Sequence, residues 1–231
     1  DAYFRRRGRV CVNGMTTTKD LLPEIYRRLD AAYGDQEWWP GETPLEVAVG
    51  AILTQNTAWA NVEKAIANLK AAGLLEPAAL ARLTPSEIAP LIKPAGYYNV
   101  KARRLRAFLD FLWEEYDGDV AAMAREELPA VRPKLLAVRG VGPETADSIL
   151  LYACGLPTFV VDAYTHRILH RHGLADEAAA YDELKELFEG NVEADVAVYK
   201  QYHALLVRVG RERCRRGEPR CAGCPLEGLN A

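Results

Sequence analysis

The chain has 231 residues, 49% of them hydrophobic and 26% charged, and its 29 basic and 32 acidic side chains leave a formal net charge of -3. That apolar content suffices for one compact domain or two small ones, whereas a charge so close to neutral argues against a protein that coats nucleic acid through a broadly basic surface. No apolar run approaches the roughly 20 residues that a helix needs to span a bilayer, so the chain is expected to be soluble, without membrane contact.

In chain order, residues 1–14 are rich in arginine, lack a helical period and precede Met15, and residues 1–19 are set outside the fold as an extension. From Asp20 the pattern is helical, with Leu21, Leu22, Ile25, Leu29 and Ala32 on one face and a stop at Gly34. Gln36-Glu37-Trp38-Trp39-Pro40-Gly41 then puts two adjacent indoles in a loop. They are either a plug for the core or flat walls for a nucleobase taken out of its stack, where an indole face would also favour a cationic base. Residues 45–53 are apolar nearly all round, which predicts the central buried helix. It runs into Thr54-Gln55-Asn56-Thr57-Ala58-Trp59, whose Trp59 could face the same pocket as the loop indoles.

An amphipathic helix is expected over 61–72, short proline-led helices over 77–83 and 85–92, and, after the turn Gly96-Tyr97-Tyr98-Asn99, a long helix with Leu105, Phe108 and Leu112 inward. Lysine and arginine cluster at Lys101, Arg103, Arg104 and Arg106 and again at Arg208, Arg211, Arg213, Arg215 and Arg216. Each cluster is either a local phosphate-binding face, with Lys101 as a contact, or an ordinary solvated helix face. The stretch Leu136-Ala137-Val138-Arg139-Gly140-Val141-Gly142, followed by Thr145-Ala146 opening a second helix, reads as a helix-hairpin-helix. Its glycines permit backbone conformations that other residues resist and leave amides at a helix start open to a phosphate. Further on, Val160-Val161-Asp162 ends an apolar run with a carboxylate at an N-cap position. Helices follow over 181–188 and 196–209, and no strand-like alternation is found, so the fold class is all-α. Cys214-x6-Cys221-x2-Cys224 closes the chain with soft ligands at intervals that suit an iron-sulfur cluster or zinc. An uneven cysteine count favours a reducing, cytoplasmic setting.

The motifs GVGxxTA, at Gly140, Val141, Gly142, Thr145 and Ala146, and PTxxVDxxxxR, at Pro157, Thr158, Val161, Asp162 and Arg167, resemble the helix-hairpin-helix DNA glycosylases, specifically the endonuclease III branch. The WWP loop and GxYNxKA, at Gly96 to Ala102, extend the likeness over most of the chain after Pro23. The resemblance implies two helical subdomains flanking a cleft: one from 20–35 with 155–231, bearing the cysteine loop, and a barrel from 36–154 ending in the hairpin. It implies that Gly140, Gly142 and Thr145 hold a phosphate, that Gln55 fills the hole left by a flipped nucleotide, and that Tyr97 wedges into the duplex. Bifunctional members carry a nucleophilic lysine just before the Thr-Ala pair. Here that residue is Glu144, which implies a monofunctional enzyme that hydrolyses the glycosidic bond without cutting the strand. The family's cysteine loop holds a 4Fe-4S cluster with four cysteines, but the fourth position here is Asn230. Cys11 and Cys154 are the substitutes available.

The expected reaction puts Asp162 beside the sugar, where its carboxylate stabilises the positive charge that develops as the base leaves and orients a water. Glu144 is either a second catalytic contact or a helix-start acid favoured by the dipole. Trp38, Trp39, Pro40 and Trp59 line the base pocket. WWP is similar to the 3-methyladenine glycosylases, which implies an alkylated purine in double-stranded DNA as substrate for a monomeric enzyme. A uracil, thymine-mismatch or oxidised-pyrimidine glycosylase uses the same scaffold, and a non-catalytic DNA-binding protein is the reading from another class.

Overall fold

The computed structural model describes residues 18–229, and among these residues every regular element is helical. None of the helices is long and apolar enough to cross a membrane. The chain separates into two compact units, one from residues 1–38 with 159–231 and the other Trp39–Thr158.

In the second unit α2 (Pro44–Leu53) is the hub, buried from Leu45 to Leu53. Pro44 at its first turn and the Thr43 hydroxyl, which accepts from the Glu46 amide at 3.2 Å, set its start. Around it lie α3 (Trp59–Ala71), α4 (Pro77–Leu80), α5 (Pro85–Leu91), a 3-10 turn over Lys93–Ala95, α6 (Tyr98–Tyr116), α7 (Val120–Met123), α8 (Leu128–Ala137) and α9 (Pro143–Ser148). The expected stripe on α6 is observed, with Leu105, Phe108 and Leu112 fully buried. Each such side chain contributes roughly 1.5–3 kcal/mol on leaving water. The short α7, which no sequence signal marked, is capped by Asp119, whose carboxylate accepts from the Ala121 amide at 2.9 Å. The second hairpin helix is not one regular helix. After Ser148 it widens into a π turn over Ile149–Ala153, in which the Cys154 amide donates to Ile149 O, five residues back, at 3.1 Å.

The other unit contains α1 (Thr18–Tyr33), α10 (Ala163–Arg171), α11 (Tyr181–Glu189) and α12 (Val196–Glu212). Thr18 and Lys19, expected outside the fold, form the first turn of α1; the rest of the expected extension lies outside the described residues. Ala32 is exposed, and the inward face of α1 ends at Leu29. The core is aromatic: Phe159 and Phe188 stack at 3.9 Å, with Tyr199 and Tyr202 edge-on. The Tyr202 hydroxyl donates to Leu22 O at 2.7 Å, so the buried ring ties α12 to α1 while keeping its polar atom satisfied.

Candidate functional site

The hairpin turn depends on one glycine in particular. Gly140 has φ +90°, and a Cβ there would lie 2.4 Å from Cγ of Arg104, so both backbone and space exclude any side chain. Gly142 differs from expectation: its φ is -94°, available to any residue, and a Cβ would meet nothing within 4 Å. What Gly142 provides is an open approach to the start of α9, where Glu144 is exposed. Thr145 is buried, and its hydroxyl accepts from Gln55 Nε2 at 3.0 Å; it faces the protein, not an incoming phosphate. Asp147, which sequence reading passed over, anchors the hairpin. It is fully buried, takes both Nε and Nη2 of Arg132 from α8 at 2.9 and 3.0 Å, and accepts from the Thr158 hydroxyl at 3.0 Å. An acid between Ala146 and Ile149, both buried, was the available signal.

Gln55 sits in the loop that follows α2. Its amide nitrogen donates to Gly140 O and to Thr145, and Arg104 donates to its Oε1, so loop, hairpin and α6 meet at one side chain. Tyr97 precedes α6 in a left-handed conformation, φ 45°, and is 75% exposed. A large aromatic held out in water on a strained backbone has the form required of a wedge.

The expected basic face at 101–106 disperses. Lys101 is 1% exposed and its ammonium points inward, so it does not reach a phosphate. Arg104 serves Gln55, Arg106 turns to Ala81 O at 2.7 Å and Asp110, and of the four only Arg103 is exposed.

The two adjacent indoles go to different units. Trp39 packs against Gly50, where a Cβ would come within 3.2 Å of its Nε1, and touches Trp59 and Tyr152 with ring centroids 5.0 and 5.2 Å away. Trp39, Pro40 and Trp59 border a cavity of about 180 Å³ with Glu46, Glu63 and Lys70, and Glu63 accepts from Trp59 Nε1 at 2.9 Å. Trp38 lines a separate cavity of about 420 Å³ with Gln36, Ala204, Val207, Arg208, Arg211, Glu212 and Arg215. Within the units, then, Trp38 borders one cavity and Trp39, Pro40 and Trp59 border another. Successive residues of an extended loop point to opposite sides, and periodicity assigns no side to a loop residue.

Asp162 is the N-cap of α10. Its Oδ1 accepts from the Thr165 amide at 2.8 Å and the Thr165 hydroxyl at 2.9 Å. Its Oδ2 faces His203 Nε2 at 3.8 Å. The carboxylate is thus oriented through one oxygen, while the other lies near a buried imidazole. His203 is buried on α12, and burial pushes its imidazole below the ordinary range while the charge of Asp162 pushes back. Sequence reading missed it; the signal was a histidine next to Tyr202 on an otherwise apolar face. Ala204 and Val207, which line the Trp38 cavity, share α12 with it.

At the cysteine loop Cys214 is buried, Cys224 partly so and Cys221 exposed, and all three are free thiols. Burial, with a further contribution from Cys221 and Cys214, raises the Cys224 thiol above its usual range. Two arginines of α10 hold the segment. Arg167 Nε donates to Cys214 O at 2.7 Å, while Arg171 donates to Arg215 O at 2.6 Å, Gly217 O at 3.1 Å and Cys214 Sγ at 3.4 Å. Arg211, Arg215, Arg216 and Arg220 are exposed around it. A 4Fe-4S cluster takes four protein ligands. The segment offers three thiols, one already bonded to a guanidinium, and among the described residues no three metal-ligating side chains converge. Among the described residues the donor set does not fit the cluster or a closed zinc site. Cys154 is buried beside Val120 O, 34 residues away in sequence, while Cys11 and Asn230 lie outside the described residues.

Residues 49–194 match the family described as HhH-GPD superfamily base excision DNA repair protein. A candidate DNA repair glycosylase of Methanocaldococcus jannaschii is 48% identical over 210 residues, covering 90% of this chain and 94% of that protein. Endonuclease III of Escherichia coli is 30% identical over 187 residues, covering 81% and 83%. Among solved structures, 3-methyladenine DNA glycosylase of H. pylori, bound to 1,N6-ethenoadenine, superimposes with a TM-score of 0.73 at 29% identity, covering 85% of this chain and 98% of that one.

Proposed function

The chain is a DNA glycosylase belonging to the HhH-GPD superfamily of base excision DNA repair proteins, and from that premise we propose that it is monofunctional and releases alkylated purines from duplex DNA. The observation that carries this reading is Asp162, with one carboxylate oxygen tied to Thr165 and the other turned toward His203. As the bond between sugar and base lengthens, positive charge grows on the sugar. A carboxylate whose orientation is already fixed stabilises that charge without reorganising, and its second oxygen can orient or deprotonate the attacking water. An alkylated purine leaves readily, so the site needs little acid catalysis.

Glu144, at the start of α9, supplies no amine for a Schiff base, so strand cleavage is not part of the reaction. The base is received against Trp38, whose cavity shares α12 with His203. Trp39 and Trp59 pack the core of their own unit. The similarity to a 3-methyladenine glycosylase supports the alkylpurine assignment. The cysteine loop presents its arginines to DNA backbone, and no step of the reaction passes through a metal cluster.

Chromatography of free bases released from separately methylated, deaminated and oxidised duplexes tests the substrate, with methylated purines expected to give the product. Borohydride treatment on abasic DNA tests the mechanism. A covalent adduct would overturn the use made of Glu144.

A further inference from the structure

Beneath the two side chains assigned to duplex invasion lies a buried lysine that the chemistry above does not use. Lys101 Nζ donates at 2.7 Å to each of three oxygens: Leu53 O, the Thr57 hydroxyl and Ala95 O. An ammonium has three protons, and all are taken. Each acceptor marks a boundary. Leu53 is the last residue of α2, Thr57 closes the loop that carries Gln55, and Ala95 ends the 3-10 turn that leads through Gly96 into Tyr97. The Thr57 hydroxyl also donates to Ala95 O, which closes the arrangement.

The acceptors are all neutral, so the lysine is buried without a counter-charge, an arrangement that costs free energy. Burial, and secondarily the neighbouring Arg104, pull its pKa down to about 8. A methionine would fill the same space without that cost, but would take the donor from Leu53 O and leave the Thr57 hydroxyl and Ala95 O with only their bond to each other. Each loop also contains a non-glycine residue in the left-handed region, Asn56 at φ 53° and Tyr97 at φ 45°. Such conformations persist only where their surroundings over-determine them. Lys101 bonds to both segments from α6, and the Thr57 hydroxyl adds a direct bond between them.

We propose that Lys101 is a positioning residue for duplex opening: it locks the Gln55 loop to the Tyr97 turn, so that the filling and wedging side chains are in place before DNA arrives. This rests on the roles given to Gln55 and Tyr97, and it assigns Lys101 no part in breaking the bond to the base. Its effect is therefore confined to double-stranded substrate, since a single strand has no hole to fill or stack to wedge.

The test is K101M, assayed in single turnover on one lesion in a duplex and in the corresponding single strand. Release from the duplex is expected to fall roughly tenfold or more, and release from the single strand to change less than about twofold. Equal losses on both substrates, or no loss on the duplex, overturn the proposal. Opening is read independently of turnover with 2-aminopurine beside a tetrahydrofuran abasic analogue: wild type raises the fluorescence and K101M does not. If wild type released no base from any lesion, the glycosylase reading would fail, while the 2-aminopurine arm would still decide on Lys101.

A pH series on the wild type needs no variant to fold. The groups around Nζ are Arg104 on its own helix, the untitratable Leu53 O and Thr57 on the α2 side, and Ala95 O on the turn, whose Lys93 is exposed. At saturating protein, duplex opening is expected to decline as pH rises through the region of 8, when one donor is lost. Opening that stays constant well above that pH overturns the assignment.

Discussion

In the unit Trp39–Thr158 the buried charges are saturated: Lys101 gives all three protons to protein oxygens, and Asp147 takes two nitrogens of Arg132 and the hydroxyl of Thr158. In the other unit Asp162 has Thr165 on one oxygen and, on the other, a histidine at 3.8 Å. Groups so engaged hold shape, because little of their hydrogen-bonding capacity is left to offer a substrate. A partly engaged carboxylate is oriented and keeps acceptor capacity in reserve.

The largest effect that would sharpen this contrast is D162N. Asparagine is as good an N-cap as aspartate, so α10 should remain and DNA affinity should persist, while single-turnover base release falls by roughly 10²–10³ or more. Unchanged turnover would erase the distinction between the two carboxylates.

Next is R132M, which leaves Asp147 buried without the Arg132 guanidinium. A loss of about 3–5 kcal/mol in stability is expected, read as a lower urea midpoint, with activity lost only as far as the fold is lost. A variant as stable as wild type but inactive would mean that Asp147 is not merely structural.

A smaller effect concerns His203. Its folded pKa lies below the ordinary 6.5, chiefly from burial, so as pH falls through 6.5 the unfolded chain takes up a proton that the folded chain resists. The stability of wild type should therefore decline below that pH, and H203Q should decline less steeply in thermal melts.

The smallest is E24Q on α1. Arg27 and Arg28 hold the Glu24 carboxyl down to about 2, so its contribution is complete above about 4.5 and disappears as pH falls toward 2. Because Arg27 is largely exposed, the difference should stay within about 1 kcal/mol near neutrality and close on acidification.

Much of the site was legible because its signals are local. The Asp162 cap follows from an acid at the junction of an apolar run and a helix, and Gly140 from a turn between two helices. Lys101 departs from the expected surface position although the signal is in the spacing: it falls on the same stripe as Leu105, Phe108 and Leu112, which are all buried. A charged residue on that stripe had to be buried with partners, but their identity was not in the spacing. The divergence of Trp38 and Trp39 had no such signal, since loop residues carry no phase.

The sequence by itself determined the all-helical class, the hairpin and the acid at its N-cap, because helix period, capping and turn chemistry act over a few neighbouring residues. Only the tertiary structure decided which charges face solvent and which are spent inside. Lys101 meets Leu53 across 48 positions, Arg104 meets Gln55 across 49, and Arg171 meets Arg215 across 44. Partners so far apart are chosen by how the helices pack, and it is their hydrogen bonds that separate a structural charge from a reactive one.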